Sequence, residues 1–188
     1  MLAYLFWHTP RSSDVATYQR GLAAFHRALA GAPPAGFLRS WTLRVDRPAW
    51  LPDGPAHYLD WYLVESFAAL GELNDGAITG TRRAPHDDVA ALARTGTAAL
   101  VAHVAGTTGV PDAPAVLLAL VDKPAGQPYS TFRTDLTEVA AAHPGTACWV
   151  RQMTLGPGPE FAVLADRDRM PPLPVPVLVL DAAVVATA

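Results

Sequence analysis

The chain of 188 residues holds a single cysteine, Cys148. One cysteine closes no internal disulfide and completes no cysteine-based zinc set, which excludes a disulfide scaffold and fits a reducing compartment. Charge is also sparse, at 16% of residues with a net of −3 and the signs interspersed. No Lys/Arg cluster marks nucleic acid or an anionic membrane as a partner. Long apolar runs are missing: the tail 175–188 is broken by Pro176 and Asp181 and is too short to span a bilayer. The start, Met1 to His8, is apolar but lacks a basic leader and stops at Pro10, so it is a poor signal peptide. A soluble, cytoplasmic protein is the expectation. Also absent are a Gly-rich phosphate loop, a Gly-x-Ser-x-Gly elbow, a Ser-x-x-Lys motif and a His-x-x-x-His pair. No cofactor and no metal are therefore expected.

What is present is a hydrophobic fraction of 51%, enough for a substantial core, and an internal repeat. Phe37-Leu38-Arg39-Ser40-Trp41-Thr42-Leu43 returns as Trp149-Val150-Arg151-Gln152-Met153-Thr154-Leu155. An apolar run ending in Pro10 returns ending in Pro124. Tyr18, Leu22 and Phe25 then answer to Phe132, Leu136 and Val139 at the same offset. Tyr58 after Gly54-Pro55 has its counterpart in Phe161 after Gly158-Pro159. Self-similarity at this length means a duplicated supersecondary unit.

Aromatic-rich Leu2 to His8 reads as a strand. Ser12-Ser13-Asp14 offers caps to a helix running to about Ala30, with Val15, Tyr18, Leu22, Phe25 and Leu29 as its core stripe. Strands are expected at 37–45 and 58–65, separated by a Pro/Gly-rich loop. Ser66 caps a short helix. Pro85, followed by Asp87 and Asp88, predicts a longer helix to about Val104. The second unit reads as strand 116–121, helix 130–142, strands 147–155 and 161–166, and a closing strand at 177–185. Each unit is thus β-α-β-β, the split βαβ pattern. The fold class expected is α+β: two ferredoxin-like repeats, with antiparallel sheets and helices on one face. Residues 1–108 form the first repeat with an extra helix, and 109–188 the second.

Two such units in one chain resemble the dimeric α+β barrel superfamily in tandem form, which includes antibiotic-monooxygenase-like, EthD-like and stress-responsive barrel proteins. The resemblance rests on element order and the repeat, and it covers most of the chain. It implies a ligand site on the sheet face away from the helices, a homodimeric assembly, and chemistry such as cofactor-independent oxygenation. Haem, bound by some barrel relatives, would need a helix-borne histidine facing the sheet, for which His26 and His103 are the candidates.

Alternation sorts the strand residues into two faces. Tyr4, Phe6 and His8 oppose Ala3, Leu5 and Trp7. Phe37, Arg39, Trp41 and Leu43 oppose Leu38, Ser40 and Thr42. Tyr58, Asp60 and Tyr62 oppose Leu59, Trp61 and Leu63. The aliphatic set suits helix packing, which predicts Trp61 against Leu22 or Phe25. The other set mixes aromatics with convergent polar groups, as a small-molecule site does. His8 and Asp60 are the candidate catalytic residues; Tyr4, Arg39, Trp41, Tyr58 and Tyr62 are the candidate ligand-binding residues. Arg39 and Asp60 either serve a ligand or simply neutralise each other. The second copy lacks most of these groups, so a single site belongs in the N-terminal half. His86-Asp87-Asp88 has the composition of a metal cluster but also fits a helix start. Cys148, beside Trp149, reads as an inert core thiol. Three functions compete: an enzyme on a small aromatic or lipophilic substrate, a non-catalytic binder of such a molecule, and a scaffold that oligomerises through open sheet edges.

Overall fold

In the computed structural model, which describes residues 1–110, 113, 115–154, 156–175 and 177–187, the first element is strand β1, Leu2–Pro10. Helix α1, Val15–Gly31, comes after it; the Asp14 carboxylate accepts the Thr17 amide at 3.0 Å and so satisfies one of its free N–H groups. Strands β2, Phe37–Val45, and β3, His57–Val64, complete a βαβ-β unit. Ser66 caps helix α2, Phe67–Ala77, and a 3-10 turn at Gly80–Arg82 leads into helix α3, Arg83–Leu92. Strand β4 is Ala93–Gly106. The second half runs β5, Val116–Val121; helix α4, Tyr129–Ala142; β6, Ala147–Thr154; β7, Phe161–Asp166; and β8, Leu178–Thr187.

The eight strands close into one antiparallel barrel in the order β1-β3-β2-β8-β5-β7-β6-β4. Advancing four places maps β1 on β5, β3 on β7, β2 on β6 and β4 on β8. The duplicated sequence thus becomes a pseudo-twofold barrel, with Arg39 and Arg151 on equivalent strands but not at equivalent register positions. Closure leaves no open sheet edge among these strands, so the scaffold that oligomerises by edge pairing is overturned. No helix is long and apolar enough to cross a membrane among the described residues.

One apolar cluster draws residues from all eight strands and none from a helix; it is the barrel interior. Trp7, Leu43, Leu59, Trp61 and Trp149 lie in it, with Trp61 edge-on to Trp149 at 5.3 Å between ring centroids. This inverts the expected faces. Trp61 is buried as predicted, but inside the barrel rather than against α1. The interior of an eight-stranded barrel is just wide enough for side chains to fill, and buried charges are costly there, so the more apolar set goes in. Tyr4, Phe6, Tyr58 and Tyr62 face outward and pack beneath α1 with Tyr18, Leu22 and Phe25. Leu22 and Phe25 therefore meet the aromatic set of the sheet.

The long helix expected from Pro85 to about Val104 is another correction. It ends at Leu92, and Ala93–Gly106 is a 14-residue strand pairing with both β1 and β6. Its alanines favour helix locally, but the two sheet edges on either side hold it extended. Gly96 permits the close approach: a Cβ there would collide with the Phe6 ring. Both helices expected between β3 and β4 are present, the second of them shorter than expected.

Candidate functional site

Strand β3 lies between β1 and β2, and the register sets which side chains meet. His8 opposes Tyr58, Phe6 opposes Asp60, and Thr42 opposes Asp60 from the other side. Directly opposed residues share a face. The outer face therefore gathers His8, Tyr58, Asp60 and Tyr62 with Tyr4, Ser40 and Thr42. The same register pairs Trp41 with Trp61 and Arg39 with Leu63, which sends Arg39 and Trp41 to the opposite face. A bulge between Phe37 and Arg39 shifts the strand's phase there. Five of the seven predicted site residues come together, and Arg39 and Trp41 do not join them.

Asp60 is the centre of the cluster and is almost wholly buried. Its Oδ1 accepts the Thr42 hydroxyl at 2.6 Å, and its Oδ2 accepts the Tyr62 hydroxyl at 2.9 Å. His8 Nε2 lies 3.3 Å from Oδ2, at ion-pair distance though outside good hydrogen-bond geometry. His26 Nε2 lies 3.5 Å from Oδ1 and 2.9 Å from Thr42 Oγ1. Burial favours the neutral acid. The imidazoles of His8 and His26, with their hydrogen bonds, outweigh it and hold the Asp60 carboxyl well below the usual carboxylate range. Asp60 is thus an ionised acceptor inside the protein, and it orders the donors around it. With its Nε2 edge toward the carboxylate, His8 places Nδ1 2.7 Å from the Tyr18 hydroxyl, where an unprotonated Nδ1 accepts from it. His26 directs Nε2–H to Thr42 and accepts from Ser40 Oγ at Nδ1, 2.7 Å away.

The His8 ring is stacked between two aromatic rings, Phe6 at 5.3 Å and Tyr58 at 5.5 Å. Burial first, and then the Asp60 charge, raise the pKa of Tyr4, Tyr18 and Tyr62, so all three remain neutral donors.

A cavity of about 640 Å³ opens onto this cluster. Its floor is Tyr4, Phe6, His8, Asp60 and Tyr62; α1 supplies Tyr18, Leu22 and Phe25; the inserted helices supply Phe67, Leu70, Leu73 and Val89. Tyr58 stands behind His8 and does not line this space. Asn74 and His86 are the polar groups contributed by the inserted helices. The cavity is therefore on the helix-covered face in the N-terminal half, not on the interior face expected.

The residues missed by sequence reasoning are Tyr18, assigned to the core stripe, and His26, assigned to the rim. His26 is wholly buried. The signal was in the spacing: Leu22, Phe25, His26 and Leu29 make one stripe at intervals of three, one and three, which places His26 inward. Neither histidine considered for haem suits it. Both ring nitrogens of His26 are engaged, and His103 is on β4, with Nε2 3.0 Å from the Thr107 carbonyl. His86 does reach the cavity, its Nδ1 3.0 Å from Asp87, but no cluster of three metal-ligating side chains forms among the described residues. Burial pushes the Cys148 thiol up to about 12, consistent with an inert core residue.

The second half provides an internal comparison. Val121 opposes Phe161 as His8 opposes Tyr58, so Val121, not Asp122, occupies the place of His8. Val163 stands for Asp60, Phe132 for Tyr18 and Ala140 for His26. All four are buried in one apolar cluster beneath α4, against which Met170 and Leu173 also pack. His8, Tyr18, His26 and Asp60 thus each have an apolar counterpart.

Neither a protein-family model nor a curated protein matches the chain. Solved structures do. A candidate monooxygenase from Lactobacillus acidophilus NCFM is 13% identical, with 100% of this chain and 95% of that one covered and a TM-score of 0.62. An anthrone oxidase-like protein is 13% identical over 100% of this chain and 92% of its own, with a TM-score of 0.58. A candidate chlorite dismutase is 10% identical over 98% and 95%, with a TM-score of 0.52. Such identities establish architecture alone, and they agree with the strand order: the chain has an α+β barrel fold closed within one polypeptide.

Proposed function

We propose that the cavity beneath α1 binds a small aromatic or lipophilic molecule and removes a proton from it. The observation that carries this reading is the buried Tyr18–His8–Asp60 relay on the cavity wall, replaced throughout by apolar residues in the second copy. The fold stands without the relay there, so its retention in the first copy asks for a chemical reason. Buried polar networks are often no more stabilising than apolar packing of similar volume.

The relay works as an activated base. The substrate's acidic proton passes to the Tyr18 oxygen as the Tyr18 proton moves to His8 Nδ1. His8 becomes imidazolium between Phe6 and Tyr58, and the Asp60 carboxylate stabilises that charge while Tyr62 and Thr42 hold it in place. His26 and Ser40 fix Thr42 from behind and act as positioning residues. Tyr4, neutral and on the cavity floor, is suited to donate to the oxygen where negative charge develops.

The names of the structural neighbours suggest a fate for the resulting anion, by analogy of fold alone. An anion made from a doubly benzylic CH2 is electron-rich enough to react with dioxygen. Incorporation of one oxygen atom and release of the other as water converts CH2 to C=O with no further reductant. Anthrone is the probe for both steps. With the wild-type protein, oxygen uptake and anthraquinone formation are expected, with kcat lowered about 10²–10⁴-fold in His8→Gln, the range for loss of a positioned base. Proton exchange at the CH2 without oxygen uptake would restrict the reading to acid–base chemistry. Binding without either reaction would make the protein a non-catalytic binder.

A further inference from the structure

Arg39 and Trp41, absent from the cavity beneath α1, line another one. It has a volume of about 470 Å³, lies at one end of the barrel, and shares no lining residue with the first. The Arg39 guanidinium lies over the Trp41 ring, 5.0 Å from its centroid. Its only hydrogen bond among the described residues is a long one, 3.4 Å from Nη2 to the Thr187 hydroxyl. Arg151, which matches Arg39 in the sequence repeat, sits at a different register position on its strand, where it donates to the Gly158 carbonyl and lies 4.0 Å from Glu160. Arg151 is thus tied into its own hairpin, whereas Arg39 faces a cavity. A second guanidinium, Arg169, lines the same space. The only carboxylate in the lining, Asp166, is already accepting the Asp168 amide at 3.2 Å.

We propose that this cavity is a second ligand site, which takes a small carboxylate with a flat apolar body. Trp41 is buried, and the exposed Arg39 guanidinium rests over its ring, which narrows the fork's freedom before a ligand arrives. Two cations against one engaged carboxylate select an anion. Leu63 and Val110 provide apolar wall, and the Thr107 and Thr108 hydroxyls add neutral donors. Gly109 allows the loop to lie directly on Trp41, since a Cβ there would sit 2.9 Å from the indole. This site is independent of the acid–base reading of the other cavity.

The test is titration of 2-naphthoate and its uncharged analogue 2-naphthamide into isotope-labelled protein, monitored by amide chemical shifts. The acid is expected to shift Thr107, Thr108, Gly109 and Gly145, and to bind at least tenfold more tightly than the amide. Arg39→Ala should lose at least tenfold in affinity with little change in Tm. Arg39→Lys should recover only part, because an ammonium lacks the planar fork. If Arg39→Ala is poorly folded, Arg169→Ala carries the same expectation for affinity. Shifts confined to residues around Tyr4 and Asn74, equal affinity for acid and amide, or wild-type affinity in a folded arginine variant would each overturn the site.

Discussion

Asp60 meets two hydroxyl donors and two imidazoles while almost wholly removed from water. Its depressed pKa makes a prediction about acid stability. The unfolded carboxyl titrates near ~4, while the folded one stays ionised to lower pH. Between those values the unfolded state binds more protons, so stability falls as pH falls, and the contribution is fully present above ~4. Urea unfolding of the wild type between pH 5 and 2 should therefore show a steeper loss than the same series for Asp60→Asn. Parallel slopes in the two proteins would mean that Asp60 is not held ionised. At neutral pH the same variant should be less stable by about 1–3 kcal/mol, as expected when buried donors lose their acceptor. Residue identity made His8, Asp60, Tyr4 and Tyr62 legible from alternation alone, because β1 and β3 have no bulge in their shared register. Arg39 and Trp41 were misplaced because period two says nothing about the register between strands, and a bulge precedes both.

Strand β4 matters to the site through one position. Gly96 opposes His8, and the Phe6 ring lies where a Cβ would be. Phe6 also stacks on His8, so the glycine sets the spacing of the base's aromatic clamp. Gly96→Ala should displace the Phe6 ring and change the pH profile of turnover, and at the same time cost roughly 1–3 kcal/mol by overpacking. An unchanged pH–rate profile with a lowered Tm would show that the clamp has no catalytic part. The interior element behaves differently. Trp61→Ala removes an indole packed on Trp149 in the barrel and should cost about 3–5 kcal/mol, while leaving the affinity of cavity ligands per folded molecule unchanged. A thermal midpoint equal to wild type would contradict its interior position. Strand β4 was hidden in the sequence because its alanine-rich second half has helical propensity. Only the pairing partners on both sides, remote in sequence, decide for strand.

At the scale of the molecule, the repeat was the most legible feature, and it became the pseudo-twofold of the barrel. Which face would turn inward was not legible, since both faces of β1 and β3 are mostly apolar and closure is a property of eight strands together. The duplication also supplies a decisive experiment. The second half buries Val121, Phe132, Ala140 and Val163 where the first holds His8, Tyr18, His26 and Asp60. A variant carrying His8→Leu, Tyr18→Phe, His26→Leu, Asp60→Val, Ser40→Ala and Thr42→Val replaces the entire relay with apolar groups of similar size. No hydroxyl of Ser40 or Thr42 is then stranded, and the Tyr62 hydroxyl retains access to the cavity. If the network serves chemistry, this protein should fold with a Tm within several degrees of wild type, or above it, since removing a complete buried polar network is often neutral or stabilising. It should show no proton exchange or oxygen uptake with anthrone. Removing Asp60 alone should be worse for stability than removing all six, because single loss leaves donors unpaired. Should the sixfold variant instead fail to fold while Asp60→Asn folds normally, the network would be a structural device of the first repeat, and the catalytic reading of the cavity would fall with it.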